Sequence, residues 1–295
     1  MREVMYLMSG KAHCPYLLAS LWTLRGQYNG PIKIHAWDDS FEICQKIASD
    51  PVFGDVEVIN SNPPMKWKKN KQFGHKILLA QQSKADQVLY LDADTTIHAD
   101  ISPLFLTAET FGFAATQFNS WLSNGGIVRK RVERLRPFLD EDYRKILDRV
   151  IEHPFPSPNG GIWAAQPSSP VLEDWYKWTD KARSIFIPDE AVLHLMVARW
   201  TYEKVRLKVF RDGEFNMSAK LKFWPKGTNF NNIKILHYHG DSNCRPNKAP
   251  EATHFWMGIW QMLKDRNIGR VSEWKGTVKN KHLDRLERDS DVETA

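Results

Sequence analysis

Apolar runs alternate with helical patterns through the first third of the chain. The runs predict strands over 3–8, 32–37, 56–59 and 87–91. The segments between them place apolar residues at helical spacing and predict helices over 16–25, 41–48 and 76–82. This alternation is typical of a parallel sheet covered by helices on both faces. The pattern predicts an α/β fold with right-handed crossovers.

Beyond residue 94 the pattern is less regular. It predicts strands over 112–116, 161–165 and 233–239, and helices over 141–152, 171–182, 190–200 and 253–265. Since no linker, repeat or low-complexity tract interrupts the chain, we expect one domain over 1–287. Its nucleotide-binding part covers about 1–100 and its sugar- and acceptor-binding part about 101–287. A disordered tail is expected over 288–295.

Composition narrows the class of protein. The chain has 295 residues, of which 42% are hydrophobic and 26% charged, so it can bury a core. The net charge of +6 favours anionic ligands such as a nucleoside diphosphate, a nucleic acid or an acidic lipid. This excess of positive charge does not distinguish among those ligands.

The cysteine content and the length of the apolar runs predict the cellular compartment of the protein. The three cysteines, Cys14, Cys44 and Cys244, are too few and too scattered for a disulfide framework or a zinc knuckle. The longest apolar run, 15–24, is about half the length of a membrane-spanning helix, and the apolar stretch after Arg2 and Glu3 is too short for us to expect a secretory signal. We therefore expect a cytoplasmic, reduced protein without a transmembrane segment.

Two carboxylates follow the strand predicted over 87–91. Asp92, Ala93 and Asp94 lie where the carboxyl ends of parallel strands open onto a ligand crevice. Two carboxylates one residue apart repel each other unless a cation neutralises them, and their hard oxygens suit Mg²⁺ or Mn²⁺. Capping of the next helix is the plainer alternative for such a pair.

Two enzyme classes use this motif. Asp92-Ala-Asp-Thr-Thr96 resembles the signature of haloacid-dehalogenase-like phosphatases, in which the first aspartate, here Asp92, would be the nucleophile. It also resembles the Asp-x-Asp of GT-A glycosyltransferases, which holds a divalent ion against the diphosphate of a sugar nucleotide. The phosphatase motif lies on the first strand of its fold, whereas here three predicted strands precede it. The order therefore favours a glycosyltransferase.

Four further segments between residues 3 and 250 resemble the glycogenin-like glycosyltransferases of family 8, in that family's order. They are Phe73-Gly-His-Lys76, Pro158-Asn159-Gly160-Gly161-Ile162, Pro188-Asp189-Glu190-Ala191, and Ile235-Leu-His237-Tyr-His239-Gly240 followed by Arg245 and Lys248. The resemblance implies a single GT-A domain, a UDP-sugar or other nucleoside-diphosphate sugar as donor, and a retaining reaction.

The resemblance also implies a metal site and a nucleotide site. Asp92, Asp94 and His237 would bind the metal, and an imidazole ligand favours Mn²⁺ over Mg²⁺. His239 has the same strand parity as His237, so strand alternation does not separate the two. The residues expected around the nucleotide and its diphosphate are Ser9, Gly10, Lys11, Asp38, Lys76, Ala93, Gly160, Gly161, Gly240, Arg245 and Lys248.

Three residues are the expected catalytic group. Asn159 and Asp189 would position the sugar hydroxyls, although Asn159-Gly160-Gly161 is also consistent with a plain turn and Asp189 with a helix cap. Relatives carry glutamine where this chain has Glu190. A carboxylate there could act as a nucleophile or as a general base, so the stereochemical outcome stays open.

The acceptor is suggested only by basic segments at 65–76 and 129–136. Basic segments with an aromatic residue can bind a phosphate backbone and stack on a base, as an enzyme that glucosylates hydroxymethylated DNA would require. A glycan or a lipid-linked saccharide, the latter at an anionic membrane surface, is the favoured acceptor, ahead of DNA and then a protein. A phosphatase and a non-catalytic saccharide or nucleic-acid binder are the alternative functions.

Overall fold

The computed structural model describes residues 1–64, 73–117, 125–155, 157–202, 204–211, 214–219, 228–238 and 250–274. The helices within these ranges are α1 (Cys14–Arg25), α2 (Phe41–Ala48), α3 (His75–Gln81), α4 (Ser102–Phe111), α5 (Gly125–Glu133), α6 (Glu141–Glu152), α7 (Pro170–Lys181), α8 (Pro188–Tyr202), α9 (Pro250–Asp265) and α10 (Val271–Trp274). The strands are β1 (Arg2–Ser9), β2 (Ile32–Trp37), β3 (Val56–Asn60), β4 (Gln87–Leu91), β5 (Thr95–Ile97), β6 (Phe113–Gln117), β7 (Pro158–Ala165), β8 (Lys208–Phe210), β9 (Met217–Ser218) and β10 (Ile235–His237).

A mostly parallel sheet organises the fold. Its strand order is β3-β2-β1-β4-β7-β6-β8, and a smaller sheet has the order β5-β10-β9. β1 pairs in parallel with β4, β2 with β3, and β6 with β8, whereas β7 runs antiparallel to both β4 and β6. The predicted α/β class with a mostly parallel central sheet is therefore confirmed.

The chain divides into two compact units. The first contains Met1–Met5, Pro63–Asp92 and Asp100–Met217. Its core is aromatic: the ring of Trp163 on β7 lies 5.3 Å from that of Tyr90, 5.7 Å from that of Phe113 and 5.2 Å from that of Trp175. Such ring pairs add stabilisation beyond the area they bury, and here they hold β4, β6, β7 and α7 together.

The second unit contains Tyr6–Asn62, Ala93–Ala99 and the described residues from Ser218 onward. A chain of buried hydroxyls runs through it, from Tyr6 to Ser20 at 2.9 Å and from Ser20 to Thr95 at 3.0 Å. Because buried hydroxyls need partners, this chain ties α1 to the first residue of β5. It therefore anchors the backbone immediately after Asp94.

A bulge near the start of β7 changes how this interior strand pairs with β6. Ala115 of β6 pairs with Trp163, but the next residue, Thr116, pairs with Asn159. Three β7 residues are thus left out of the β6–β7 register, as in other bulges that redirect backbone groups near active sites. Asn159-Gly160-Gly161, for which a plain turn was the alternative, lies inside this strand.

Two sequence predictions fall outside this description. The tail expected over 288–295 and most of the basic segment expected over 65–76 lie outside the described residues. Among the helices that are described, each is too short or too polar to cross a membrane.

Candidate active site

Asn159 is held in one orientation by the bulge in β7. Its Oδ1 accepts hydrogen bonds from the Gly161 amide and from Asn216 Nδ2, both at 2.9 Å. Asn216 also donates to Thr116 Oγ1 at 2.9 Å. Since both donors take the oxygen side of the amide, the Nδ2 side must face the remaining neighbour, the carboxylate of Glu190.

Glu190 lies in the first turn of α8 and accepts from two donors. Asn159 Nδ2 donates to Oε1 and Arg131 Nη1 donates to Oε2, each at 2.9 Å. Burial raises the pKa of Glu190 above its ordinary value, an effect that the positive charge of Arg131 opposes and that of nearby Asp189 reinforces. The carboxylate is thus a partly desolvated group held at both oxygens.

Asp189, the preceding residue, forms a buried ion pair with Lys76 of α3. Lys76 Nζ lies 2.7 Å from Asp189 Oδ2 and donates to the Gly160 carbonyl at 2.7 Å. Burial acts to lower the pKa of Lys76, but the carboxylates of Asp189, Asp92 and Glu190 outweigh it and raise that pKa. Lys76 therefore stays charged beside a cluster of acids.

Gly160 leaves room for this ion pair. A Cβ built on Gly160 would lie 2.8 Å from Asp189 Oδ2 and 3.1 Å from Lys76 Nζ. Its carbonyl, which the bulge turns away from β6, accepts from both Lys76 Nζ and Trp163 Nε1. Gly161, the next residue, uses its carbonyl to accept from the Asp92 amide at 2.7 Å.

Asp92, Asp94 and His237 form a group with the donor set of a metal site. One ligand atom from each lies within 4.8 Å of the others, and His237 Nε2 is 3.3 Å from Asp94 Oδ1. Tyr90 donates to Asp92 Oδ1 at 2.7 Å, and the Asp94 carbonyl accepts from the Tyr238 amide. Two carboxylates and one imidazole fit Mn²⁺ or Mg²⁺, and the structure brings together the three predicted ligands.

Two of the expected nucleotide-binding residues, one after β1 and one after β2, have a positive backbone φ angle. Gly10, which follows Ser9, has φ of +79°, and Asp38 has φ of +55°. The Lys11 amide donates to Asp39 Oδ1 at 3.0 Å, which links the two strand ends. A non-glycine residue at positive φ costs free energy, so the strain at Asp38 is typical of a functional loop.

Of the other predicted site residues, one lies within the described structure and four lie outside it. Ala93 lies between the two metal-site aspartates and is partly exposed. His239, Gly240, Arg245 and Lys248 lie outside the described residues. For those four, the roles implied by the family resemblance stay predictions.

Sequence reasoning missed four residues around this site: Tyr90, Thr116, Arg131 and Asn216. The basic neighbours of Arg131 predict an acceptor-binding role for it, whereas its side chain pairs with Glu190. Asn216 is separated from Asn159 by 57 residues and lies in no motif, so no local signal could have identified it.

Solved structures of glycosyltransferases share this architecture. The galactosyltransferase LgtC, in complex with donor and acceptor sugar analogues, has a TM-score of 0.58 at 10% identity, over 88% of this chain and 95% of LgtC. The chain has the GT-A fold. Mouse xyloside xylosyltransferase 1 matches at 0.51 and 13% identity, over 81% of this chain and 96% of that one.

A third structure with the GT-A fold covers more of this chain. Streptococcus pneumoniae GlyE has a TM-score of 0.55 at 15% identity, over 95% of this chain but only 64% of GlyE. No protein-family model and no curated protein matches the sequence. At such low identities the likeness shows the fold alone, so the chemistry rests on the residues of the site.

Proposed function

We propose that this protein is a metal-dependent glycosyltransferase that moves a sugar from a nucleoside-diphosphate sugar to a hydroxyl acceptor. The observation that carries the proposal is the Asp92, Asp94 and His237 group of a GT-A fold, in which the two aspartates follow the central strand β4 and the histidine ends β10. We further propose a UDP-sugar as donor, retention of configuration, and kinship with family 8. Residues 1–100 would serve the nucleotide, and 101–287 the sugar and acceptor.

Asp92, Asp94 and His237 would hold Mn²⁺ or Mg²⁺. A divalent ion supplies Lewis-acid stabilisation of the charge that builds on a diphosphate leaving group. The protein's own contribution is to fix the ligands: Tyr90 orients the Asp92 carboxylate, and the Tyr238 amide holds the backbone of Asp94. His237 is buried, and burial limits the number of orientations open to its ring.

Three residues would act on the donor sugar. Asp189 and Asn159 would bind and orient its hydroxyls, and Asp189 Oδ1 is a buried atom without a hydrogen-bond partner among the described residues. Glu190 would place negative charge beside the anomeric carbon, where positive charge develops as the bond to the diphosphate breaks. Lys76 holds the Asp189 carboxylate in place through their buried ion pair.

For the acceptor we propose a glycan or a lipid-linked saccharide rather than DNA. In the basic segment 129–136, Arg129 donates to the Ile151 carbonyl, Arg131 to Glu190, and Arg136 to Glu133 and Asp148. These guanidinium groups are engaged within the protein. Within this described segment, fewer cations are therefore left for the phosphate backbone on which DNA binding depends. We expect the reaction to take place in the cytoplasm.

The test is hydrolysis and transfer with a panel of sugar nucleotides in the presence of Mn²⁺. We expect one donor, a UDP-sugar, to be consumed only with metal present, and Asp94→Asn to abolish its consumption. Asp142→Asn, which also removes an aspartate charge, is the control because Asp142 is 81% exposed on α6 and lies outside the metal group and the expected nucleotide site. Release of phosphate from simple monoesters without any sugar donor would instead favour the phosphatase, with Asp92 as nucleophile.

A further inference from the structure

We propose that Arg131 is a positioning residue for sugar transfer: together with Asn159, it holds the Glu190 carboxylate in a single orientation at the start of α8. The inference rests on the proposed function and extends it, because nothing in the sequence motifs places Arg131 at the site. Arg131 lies on α5, which is remote in sequence from both β7 and α8.

The geometry of the contact supports this role. Glu190 Oε2 accepts from Arg131 and Oε1 accepts from Asn159, so the two oxygens are bound to donors on separate elements. A carboxylate held at both oxygens cannot rotate about its last bond without breaking one of the hydrogen bonds. The side chain of Glu190 is only 16% exposed, so solvent screens the contact little.

This arrangement requires a carboxylate at position 190. A glutamine offers one acceptor and one donor group, whereas Asn159 Nδ2 and Arg131 Nη1 are both donors. Asn159 cannot reverse its amide without losing the hydrogen bonds from Gly161 and Asn216. A glutamine would therefore face one donor with its own amide nitrogen. Arg131 and Glu190 form a matched pair.

The two cations that precede Arg131 on α5 lie in different surroundings from its own. Arg129 donates to the Ile151 carbonyl, and Lys130 is exposed to solvent. Arg131 alone among these three reaches a residue of the proposed catalytic group. Lys145→Met makes a control for Arg131→Met, since it also removes one positive charge, but from a side chain that is 67% exposed on α6 and lies outside the basic segment.

The decisive experiment is a double-mutant cycle on donor hydrolysis. We expect Arg131→Met to lower kcat by about 10- to 100-fold with little change in KM for the sugar nucleotide, because a misplaced carboxylate impairs the reaction more than binding. Arg131→Lys should recover part of the loss. In a Glu190→Gln background, Arg131→Met should change kcat by less than about 3-fold. Lys145→Met should leave kcat unchanged in both backgrounds.

The pH profile of Arg131→Met tests the same role without relying on Glu190→Gln. The charged groups that act on Glu190 besides Arg131 are Asp189 of α8, Lys76 of α3 and Asp92 after β4, and the neutral His194 bonds to its carbonyl. Because the Arg131 cation acts to lower the pKa of Glu190, its loss should raise that pKa, which moves the acid limb of kcat to higher pH.

Two results would overturn the role of Arg131. Equal losses from Arg131→Met in the wild-type protein and in the Glu190→Gln variant would mean that it acts independently of Glu190. An acid limb that does not move would mean that it does not act on the charge of Glu190. If the wild-type protein consumed no sugar nucleotide at all, the proposed function would fail, and this proposal with it.

Discussion

The ammonium group of Lys76 lies 2.7 Å from the carboxylate of Asp189, and the two side chains are only 7% and 2% exposed. Taking two charges out of water is unfavourable, and such a pair persists only when its geometry and additional hydrogen bonds compensate. Here the Gly160 carbonyl accepts a further hydrogen bond from Lys76. The pair joins α3 to α8 at the point where the proposed catalytic residues begin.

Removal of the cation should destabilise the protein strongly. Lys76→Met leaves Asp189 buried without its partner, and we expect the free energy of unfolding to fall by about 3–5 kcal/mol. Urea unfolding followed by circular dichroism measures the change. Lys11→Met is the matched control, because Lys11 pairs with Asp39 at 3.8 Å on the surface and should cost less than about 1 kcal/mol. Equal losses in the two variants would contradict the importance of the buried pair.

A methyl group at position 160 should disturb the same pair. In Gly160→Ala the added Cβ would meet Asp189 Oδ2 at 2.8 Å and Lys76 Nζ at 3.1 Å, so the geometry of the ion pair must change. We expect donor hydrolysis to fall by about 10- to 100-fold in a protein that still folds. Gly258→Ala on α9 is the control: its Cβ meets nothing within 4 Å, and alanine should stabilise that helix by up to about 1 kcal/mol. Undiminished hydrolysis by Gly160→Ala would show that the position of Asp189 is unimportant.

The hydroxyl of Tyr90 should affect metal binding. It donates to Asp92 Oδ1 at 2.7 Å, and hydrogen bonds of this kind orient a carboxylate ligand. We expect Tyr90→Phe to weaken Mn²⁺ binding by about 10-fold in a titration followed by electron paramagnetic resonance. Tyr143→Phe makes the same chemical change to a hydrogen bond with Asp174, which is not in the metal group, and should leave Mn²⁺ binding unaltered. Identical metal affinities in both variants would count against Asp92 as a ligand.

His194 should make stability depend on pH. Burial lowers its pKa from 6.5 to about 4, and its Nδ1 bonds to the Glu190 carbonyl. Because the folded protein disfavours the protonated ring, the contribution is present above pH 6.5 and is lost as the pH falls towards 4.

Unfolding at two pH values checks this effect. Between pH 7 and pH 5, His194→Gln should lose about 2 kcal/mol less stability than the wild-type protein. Some acid sensitivity will remain, since burial also lowers the pKa of His98 to about 4. His254→Gln, which changes an exposed histidine, should behave as the wild type. If His194→Gln lost as much stability as the wild type on acidification, the proposed neutral state of His194 would be wrong.

Elements with strong local patterns agree with the structure. The strands predicted over 32–37 and 87–91 and the helices predicted over 41–48 and 141–152 have the same bounds in the fold. The spacing of their apolar residues is set by the local sequence, and the residues with that spacing are the ones that become buried. α4 was missed although Leu104, Phe105 and Ala108 are buried at helical spacing, because the exposed Leu106 adds an apolar residue to the opposite face. β5 was missed because three residues are too few to show a period.

The ion pairs between polar side chains could not be predicted from local sequence patterns. The sequence by itself determined that two aspartates end a central strand and that a histidine ends a later one, since strand patterns and motif order are local. Only the tertiary structure decided that Lys76 pairs with Asp189, and that Arg131 pairs with Glu190 rather than facing solvent beside its basic neighbours. The reason is physical: a charged side chain is paired by whatever the folded backbone brings within about 3 Å, and segments remote in sequence supply those partners.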